Sequence, residues 1–262
     1  MKTIAFGACK GGTGKTTVVF HLAGCLAEKH KVLVCDADFQ ANFSRRIGLN
    51  TANFDVYSMC DVFEEKAEPQ QCVIKSPIKE LPNLDVIGTC INMIVTREKV
   101  SVGGGRELRL KNYMEDYKEF FEQYDYVLID TNPGYGMLDQ NAYAAADSII
   151  MVSDISTDGI QGCEIFDFLW STTRKGLRME DNIKALILNN YDARVGDSKE
   201  AMKFLKKNEY LEGLPLKNYI YNAIAMARSC DEHLPINIYD PTHKNVIQLK
   251  NIIKELKERE VL

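Results

Sequence analysis

The 262-residue sequence predicts an α/β fold, a mostly parallel twisted sheet with helices on both faces. Short apolar runs alternate with helical patterns along the whole length. Most of these runs lack polar alternation, as strands covered on both faces should. The first run ends in a glycine-rich loop that leads into a helix, a characteristic β-to-α junction of such sheets.

Residues 3–8, 32–35, 84–87, 126–129, 148–152 and 183–188 read as short buried strands. Helical periodicity covers 15–29, 108–124, 138–145, 159–175, 198–207 and 245–259. Parallel neighbours need a crossover, and the intervening helices supply it. Ser101-Val102-Gly103-Gly104-Gly105 reads as a flexible loop. No internal repeat or linker interrupts the pattern, so one domain over 1–262 is expected.

Apolar residues make up 45% of the chain, which excludes a disordered or collagen-like protein. Lys and Arg number 32 against 37 Asp and Glu, a net charge of −5 that argues against a constitutive polyanion binder. No stretch reaches the roughly 18 apolar residues of a membrane span. The amino terminus meets glycines too early for a signal peptide, so a cytoplasmic protein is expected. Eight cysteines, at 9, 25, 35, 60, 72, 90, 163 and 230, form no C-x-x-C pair. Zinc and disulfide frameworks are therefore not expected, and most of these thiols should be small buried hydrophobes.

The first strand ends in Cys9-Lys10-Gly11-Gly12-Thr13-Gly14-Lys15-Thr16-Thr17. Glycines let the backbone wrap an anion, and the loop N–H groups and helix start point at phosphate oxygens. Lys15 offers a cation to the β- and γ-phosphates, and the Thr16 hydroxyl offers a ligand to Mg²⁺. Gly11, Gly12, Thr13, Gly14 and Thr17 complete the cradle. Cys9 stands where the strict P-loop pattern has Gly.

Lys10-Gly11-Gly12 ahead of Gly14-Lys15-Thr16 resembles the deviant Walker A motif of the ParA/MinD family of P-loop (SIMIBI-type) ATPases. The resemblance implies ATP as the nucleotide and an ATP-dependent homodimer. Lys10 would reach across that dimer to the partner's nucleotide. Asp36-Ala37-Asp38-Phe39-Gln40-Ala41-Asn42 resembles the family's D-x-D-P-Q-G-N switch I. There the second Asp positions the attacking water, which implies that role for Asp38 and places Gln40 in the same switch. Phe39 and Ala41 stand where the family has Pro and Gly. Tyr126-Val127-Leu128-Ile129-Asp130 resembles Walker B, with Asp130 holding Mg²⁺ through water. The family continues D-x-P-P, whereas this chain reads Asp130-Thr131-Asn132-Pro133-Gly134. Pro133 and Gly134 would form switch II, with backbone donors near the γ-phosphate. Asn189, at the end of a later strand, matches an adenine-contacting position. Leu234-Pro235-Ile236-Asn237-Ile238-Tyr239-Asp240-Pro241 resembles the segment before the family's last helix.

Only nine residues precede Lys10, as in the short Soj-like class, so an amino-terminal helix-turn-helix is not expected. The last helix mixes Lys250, Lys254, Lys257 and Arg259 with Glu255, Glu258 and Glu260. A membrane-surface helix carries a mainly basic polar face, so core packing through Val246, Leu249, Ile253 and Leu256 is expected instead, with no membrane partner. No cysteine lies between Asp130 and Cys163, which argues against an iron–sulfur role. In the short class two arginines on a shared face bind non-specific DNA. Arg194 matches one, Ala225 falls at the other, and Arg228 lies three residues on. Further basic clusters are Arg174-Lys175 and Lys199, Lys203, Lys206 and Lys207. The resemblance thus implies a partition ATPase, acting in plasmid, mobile-element or chromosome segregation with a centromere-binding, ParB-like partner. The alternative is a regulatory or positioning ATPase that works through protein partners without DNA. A small-molecule kinase fits less well, since no segment resembles a substrate lid and Lys10 would go unused.

Overall fold

β1 (Lys2–Gly7), β2 (Val32–Asp36), β3 (Val73–Lys75), β4 (Leu84–Ile87), β5 (Tyr126–Asp130), β6 (Ser148–Asp154) and β7 (Ile183–Asn189) form one sheet in the order β3-β4-β2-β5-β1-β6-β7. The computed structural model describes residues 1–52, 56–192 and 196–262. β3 runs antiparallel to β4, and all other neighbours are parallel. The helices are α1 (Lys15–Ala27), α2 (Asn42–Arg46), α3 (Met59–Phe63), α4 (Pro69–Cys72), α5 (Met93–Val100), α6 (Arg109–Asp116), α7 (Lys118–Phe121), α8 (Met137–Ala145), α9 (Thr157–Gly176), α10 (Gly196–Lys206), α11 (Ile224–Asp231), α12 (Ile236–Tyr239) and α13 (Lys244–Glu258).

Two cores lie against the two faces of the sheet, because successive strand side chains point to opposite sides. Ile4 and Phe6 join α1 and α13 on one face, while Ala5 joins α8 and α9 on the other. β2 and β5 are buried at every position, which is why their sequences show no polar alternation. α1 is buried from Val18 to Ala27, since it lies between the sheet and α13. α13 presents Val246, Leu249, Ile252 and Leu256 to that core, each side chain contributing roughly 1.5–3 kcal/mol. Ile252 rather than Ile253 takes the deepest place; Ile253 is partly buried.

The six expected strands form, each within a residue or two of its expected ends. Three differences stand out. β3 is a three-residue edge strand, too short for any periodicity to mark it. The helix expected over 108–124 is broken into a 3-10 turn, α6 and α7, with Tyr117 at φ −107° and ψ 33° between the last two. Tyr113, Phe120, Phe121 and Tyr124 stay buried on both sides of that joint, so their helical spacing gave no sign of it. Several short helices, α3 among them, depend on local capping: Ser58 accepts from the Cys60 amide while Asp61 accepts from the Ser58 amide. Among the described residues no helix is long and apolar enough to cross a membrane.

Candidate nucleotide site

β1 delivers the chain to a loop that closes on the start of α1. Gly12 and Gly14 adopt φ of 82° and 81°, a left-handed conformation that costs other residues energy. A Cβ at Gly14 would also collide with the amide of Asn189. Lys15, Thr16 and Thr17 follow at the helix start and line an open pocket of about 190 Å³ together with Lys10, Asp38 and Pro133. The pocket thus brings together residues from the loop and from both switch segments.

Lys15 is buried, and its ammonium lies 2.9 Å from Oδ1 of Asp130. It also donates to the Thr131 carbonyl. Asp130 stands at the tip of β5 because β5 pairs directly with β1, in register Phe6 to Asp130. Its Oδ2 is buried without a hydrogen-bond partner. An unpartnered buried carboxylate oxygen is costly unless a ligand completes it. That oxygen and the Thr16 hydroxyl are a donor set that fits hydrated Mg²⁺ beside a nucleotide.

Asp36 and Asp38 sit at the end of β2. Asp36 is fully buried and accepts from the amide and hydroxyl of Ser44, at 2.8 and 2.7 Å. Burial, reinforced by Asp130, pushes its carboxyl up to about 7. Asp38 is also buried. Its Oδ1 accepts from the Gln40 amide at 2.8 Å and its Oδ2 from Asn42 at 2.9 Å. Burial raises its carboxyl above the ordinary carboxylate range, although the Gln40 bond and Lys15 pull the other way. Gln40 itself is exposed and lines a separate cavity of about 310 Å³ with Phe39, Ile91 and Ile94. Asn132 lies between the switches: its Oδ1 accepts from the Phe39 amide at 3.2 Å, and its Nδ2 donates to the Ala37 carbonyl at 3.4 Å.

Three of the expected site groups have partners within the chain. The Gly134 N–H, expected to face a γ-phosphate, donates instead to the Ala8 carbonyl at 2.9 Å. The Asn189 Nδ2 donates to the Thr13 carbonyl at 2.8 Å, so this side chain braces the loop as well as lining the neighbouring cavity. Lys10, expected to reach a second subunit, is held within its own chain, 3.2 Å from Asp154 Oδ2 and 3.1 Å from Ser156 Oγ. Arg194 lies outside the described residues. Arg228 is exposed on α11, while Ala225 is half-buried against the core one turn earlier.

A cavity of about 280 Å³ adjoins the pocket through Thr17 and Arg46. Asn190, Tyr221 and Asn222 line it, and sequence reasoning missed all three. They meet because the residues after β7 bridge to the loop before α11, with Tyr191 opposite Tyr221. No local pattern marks such a contact.

A family model described as an AAA domain (AAA_31) matches residues 1–192. The chain is 29% identical to the sporulation initiation inhibitor protein Soj of Bacillus subtilis, over 97% of this chain and 98% of Soj. It is 28% identical to the cell division protein PomZ of Myxococcus xanthus, over 95% of this chain and 76% of PomZ. Its fold superposes on an ATP complex of McdA from Cyanothece with a TM-score of 0.82, covering 98% of this chain and 96% of McdA at 20% identity. With a deviant P-loop, a carboxylate at the tip of the adjacent strand and these relatives along nearly its whole length, the chain belongs to the ParA/MinD family of P-loop ATPases and is of the Soj type.

Proposed function

We propose that this chain is a single-domain nucleotide switch of the partition type, hydrolysing ATP with Mg²⁺ and dimerising when ATP is bound. The observation that carries this reading is the convergence of Lys10, Lys15, Thr16 and Asp38 on one pocket, with Asp130 behind it. Loop amides and Lys15 bind and orient the phosphates. Thr16 and Asp130 would hold Mg²⁺, which supplies charge neutralisation at the β- and γ-phosphate oxygens when bound. Asp38 orients water for attack, giving ADP and phosphate. The turnover is slow until a partner completes the site.

Lys10 is the extra cation of the loop. Its contacts with Asp154 and Ser156 are part-buried and involve only side chains, so a second subunit can compete for it. The dimer joins two weak cationic faces, each including Arg194 and Arg228, and so binds non-specific duplex DNA. A small centromere-binding protein stimulates hydrolysis and releases it. The relative PomZ is a cell division protein, and the net charge of −5 with Ala225 at an arginine position favours, as second reading, a positioning ATPase that uses protein partners alone.

Sedimentation with a non-hydrolysable ATP analogue, followed by anisotropy on random duplex, tests both readings. The partition reading expects a nucleotide-dependent dimer that binds duplex at about 50 mM salt. A dimer that ignores DNA at that salt transfers the assignment to the positioning reading. A chain that neither dimerises nor hydrolyses ATP overturns both.

A further inference from the structure

The β2–β5 ladder does not stop where the strands stop. Ala37 donates its amide to the Asp130 carbonyl at 2.8 Å, one step past the end of β2. In a parallel ladder the next two bonds would run from the amide of residue 132 to the Ala37 carbonyl, and from the Phe39 amide to the carbonyl of residue 132. The backbone of Asn132 does not make them. Its amide turns away to Asp139 Oδ1, at 2.9 Å. The side-chain carboxamide takes over both places, donating through Nδ2 to Ala37 and accepting through Oδ1 from Phe39.

Those two backbone groups flank one residue, Asp38. We infer that Asn132 is a positioning residue for ATP hydrolysis, a switch II side chain that clamps the backbone on both sides of Asp38 and so aims its carboxylate. The inference rests on the proposed role of Asp38 in orienting water. A carboxamide suits the task because it carries a donor and an acceptor on one rigid plane. Only one of its two flips satisfies both partners, since the other would face amine to amide and oxygen to carbonyl. Asn132 is 5% exposed, so water competes poorly for either bond. Its own anchor is rigid: Asp139 also accepts from the Gly136 amide at 2.7 Å, capping α8.

The pairing also accounts for two departures from the family pattern at once. A proline at 39 would have no N–H to give, and a proline at 132 would have no carboxamide to receive it. Here Phe39 and Asn132 replace both prolines, and the two replacements bond to each other. Two rings that stiffen separate loops give way to one contact that links the loops. Motion of switch II is thereby transmitted to Asp38.

The test is a double-mutant cycle in the full-length chain, with amide exchange as an independent readout. Asn132→Ala should lower turnover at saturating ATP about tenfold while leaving affinity for a fluorescent ATP analogue within about twofold. A residue that acts through Asp38 adds nothing once Asp38 is gone, so Asp38→Ala/Asn132→Ala should turn over no more slowly than Asp38→Ala. Amide exchange in the peptide containing Phe39 should speed up in Asn132→Ala. Should Asn132→Ala not fold, Asn132→Ser, whose hydroxyl cannot reach both backbone groups, carries the same comparisons. Wild-type turnover in the single variant, a further loss in the double variant, or unchanged exchange at Phe39 each overturns the clamp. If the wild-type chain hydrolyses no ATP, the functional reading fails, and exchange at Phe39 still decides the contact.

Discussion

The Lys15 ammonium lies 2.9 Å from Asp130 Oδ1, and both side chains are buried. This pair ties the phosphate loop to the tip of the adjacent strand. On the proposed function Lys15 has two tasks, pairing with Asp130 and meeting phosphate. Lys15→Ala should abolish ATP binding in calorimetry. It should also destabilise the fold by about 3–5 kcal/mol, because Asp130 is left as an uncompensated buried charge. Denaturation of the nucleotide-free protein separates the two effects. Near-normal ATP affinity in Lys15→Ala would remove the residue from the site.

Asp38→Ala should bind ATP and hydrolyse it about 10²-fold more slowly, accumulating the dimer. The side chain is held by Gln40 and Asn42 rather than by the phosphate loop, so its loss spares ground-state binding. Wild-type turnover in this variant would end the assignment.

Lys10→Ala should leave nucleotide binding by the monomer intact and reduce dimer formation with a non-hydrolysable analogue. The lysine bonds only to Asp154 and Ser156 among the described residues, and neither belongs to the phosphate loop. Equal dimer fractions in sedimentation for variant and wild type would refute a role across the subunit boundary.

Duplex binding should need ATP and fall steeply with salt. Each phosphate contact contributes about −0.9 to the slope of log K against log salt. Arg228→Ala, on the exposed side of α11, should flatten that slope and weaken all sequences alike, because phosphate contacts carry no sequence code. Arg194→Ala should do the same. An unchanged slope in both variants would place the DNA surface elsewhere.

His21 offers a test of stability against pH. It is fully buried, and its Nδ1 accepts from the Ile236 amide at 3.0 Å. Burial, then the nearby Arg46 charge, lowers its pKa from 6.5 to about 3. Between those values the unfolded chain binds a proton that the folded chain refuses. Stability from this group is thus present above pH 6.5 and lost as pH falls toward 3. Asp36, raised to about 7, acts with the opposite sign, so the two must be separated by mutation. His21→Asn keeps an acceptor for Ile236 and removes the titration. Relative to wild type, its unfolding free energy in urea should gain up to about 1.4 kcal/mol per pH unit on acidification across that window. Parallel pH profiles would show that His21 does not titrate there.

Local chemistry was legible along the chain. Glycines at 12 and 14 announce positive φ, the end of the glycine loop at Lys15 announces a helix start, and an apolar run ending in Asp130 announces a strand tip. Each signal lies within a few residues, where propensity and spacing act, and the parallel sheet follows from the same alternation. Contacts between distant segments were not legible. The Asn189 amide beneath Thr13, the Lys10 link to Asp154 and the bracketing of Asp38 by Asn132 join residues between 93 and 176 positions apart. Strand order decides which loop tips meet, and side-chain hydrogen bonds between loops carry no periodicity. In the sequence Asn132 is only a missing proline; beside the end of β2, its carboxamide bonds the backbone on both sides of Asp38.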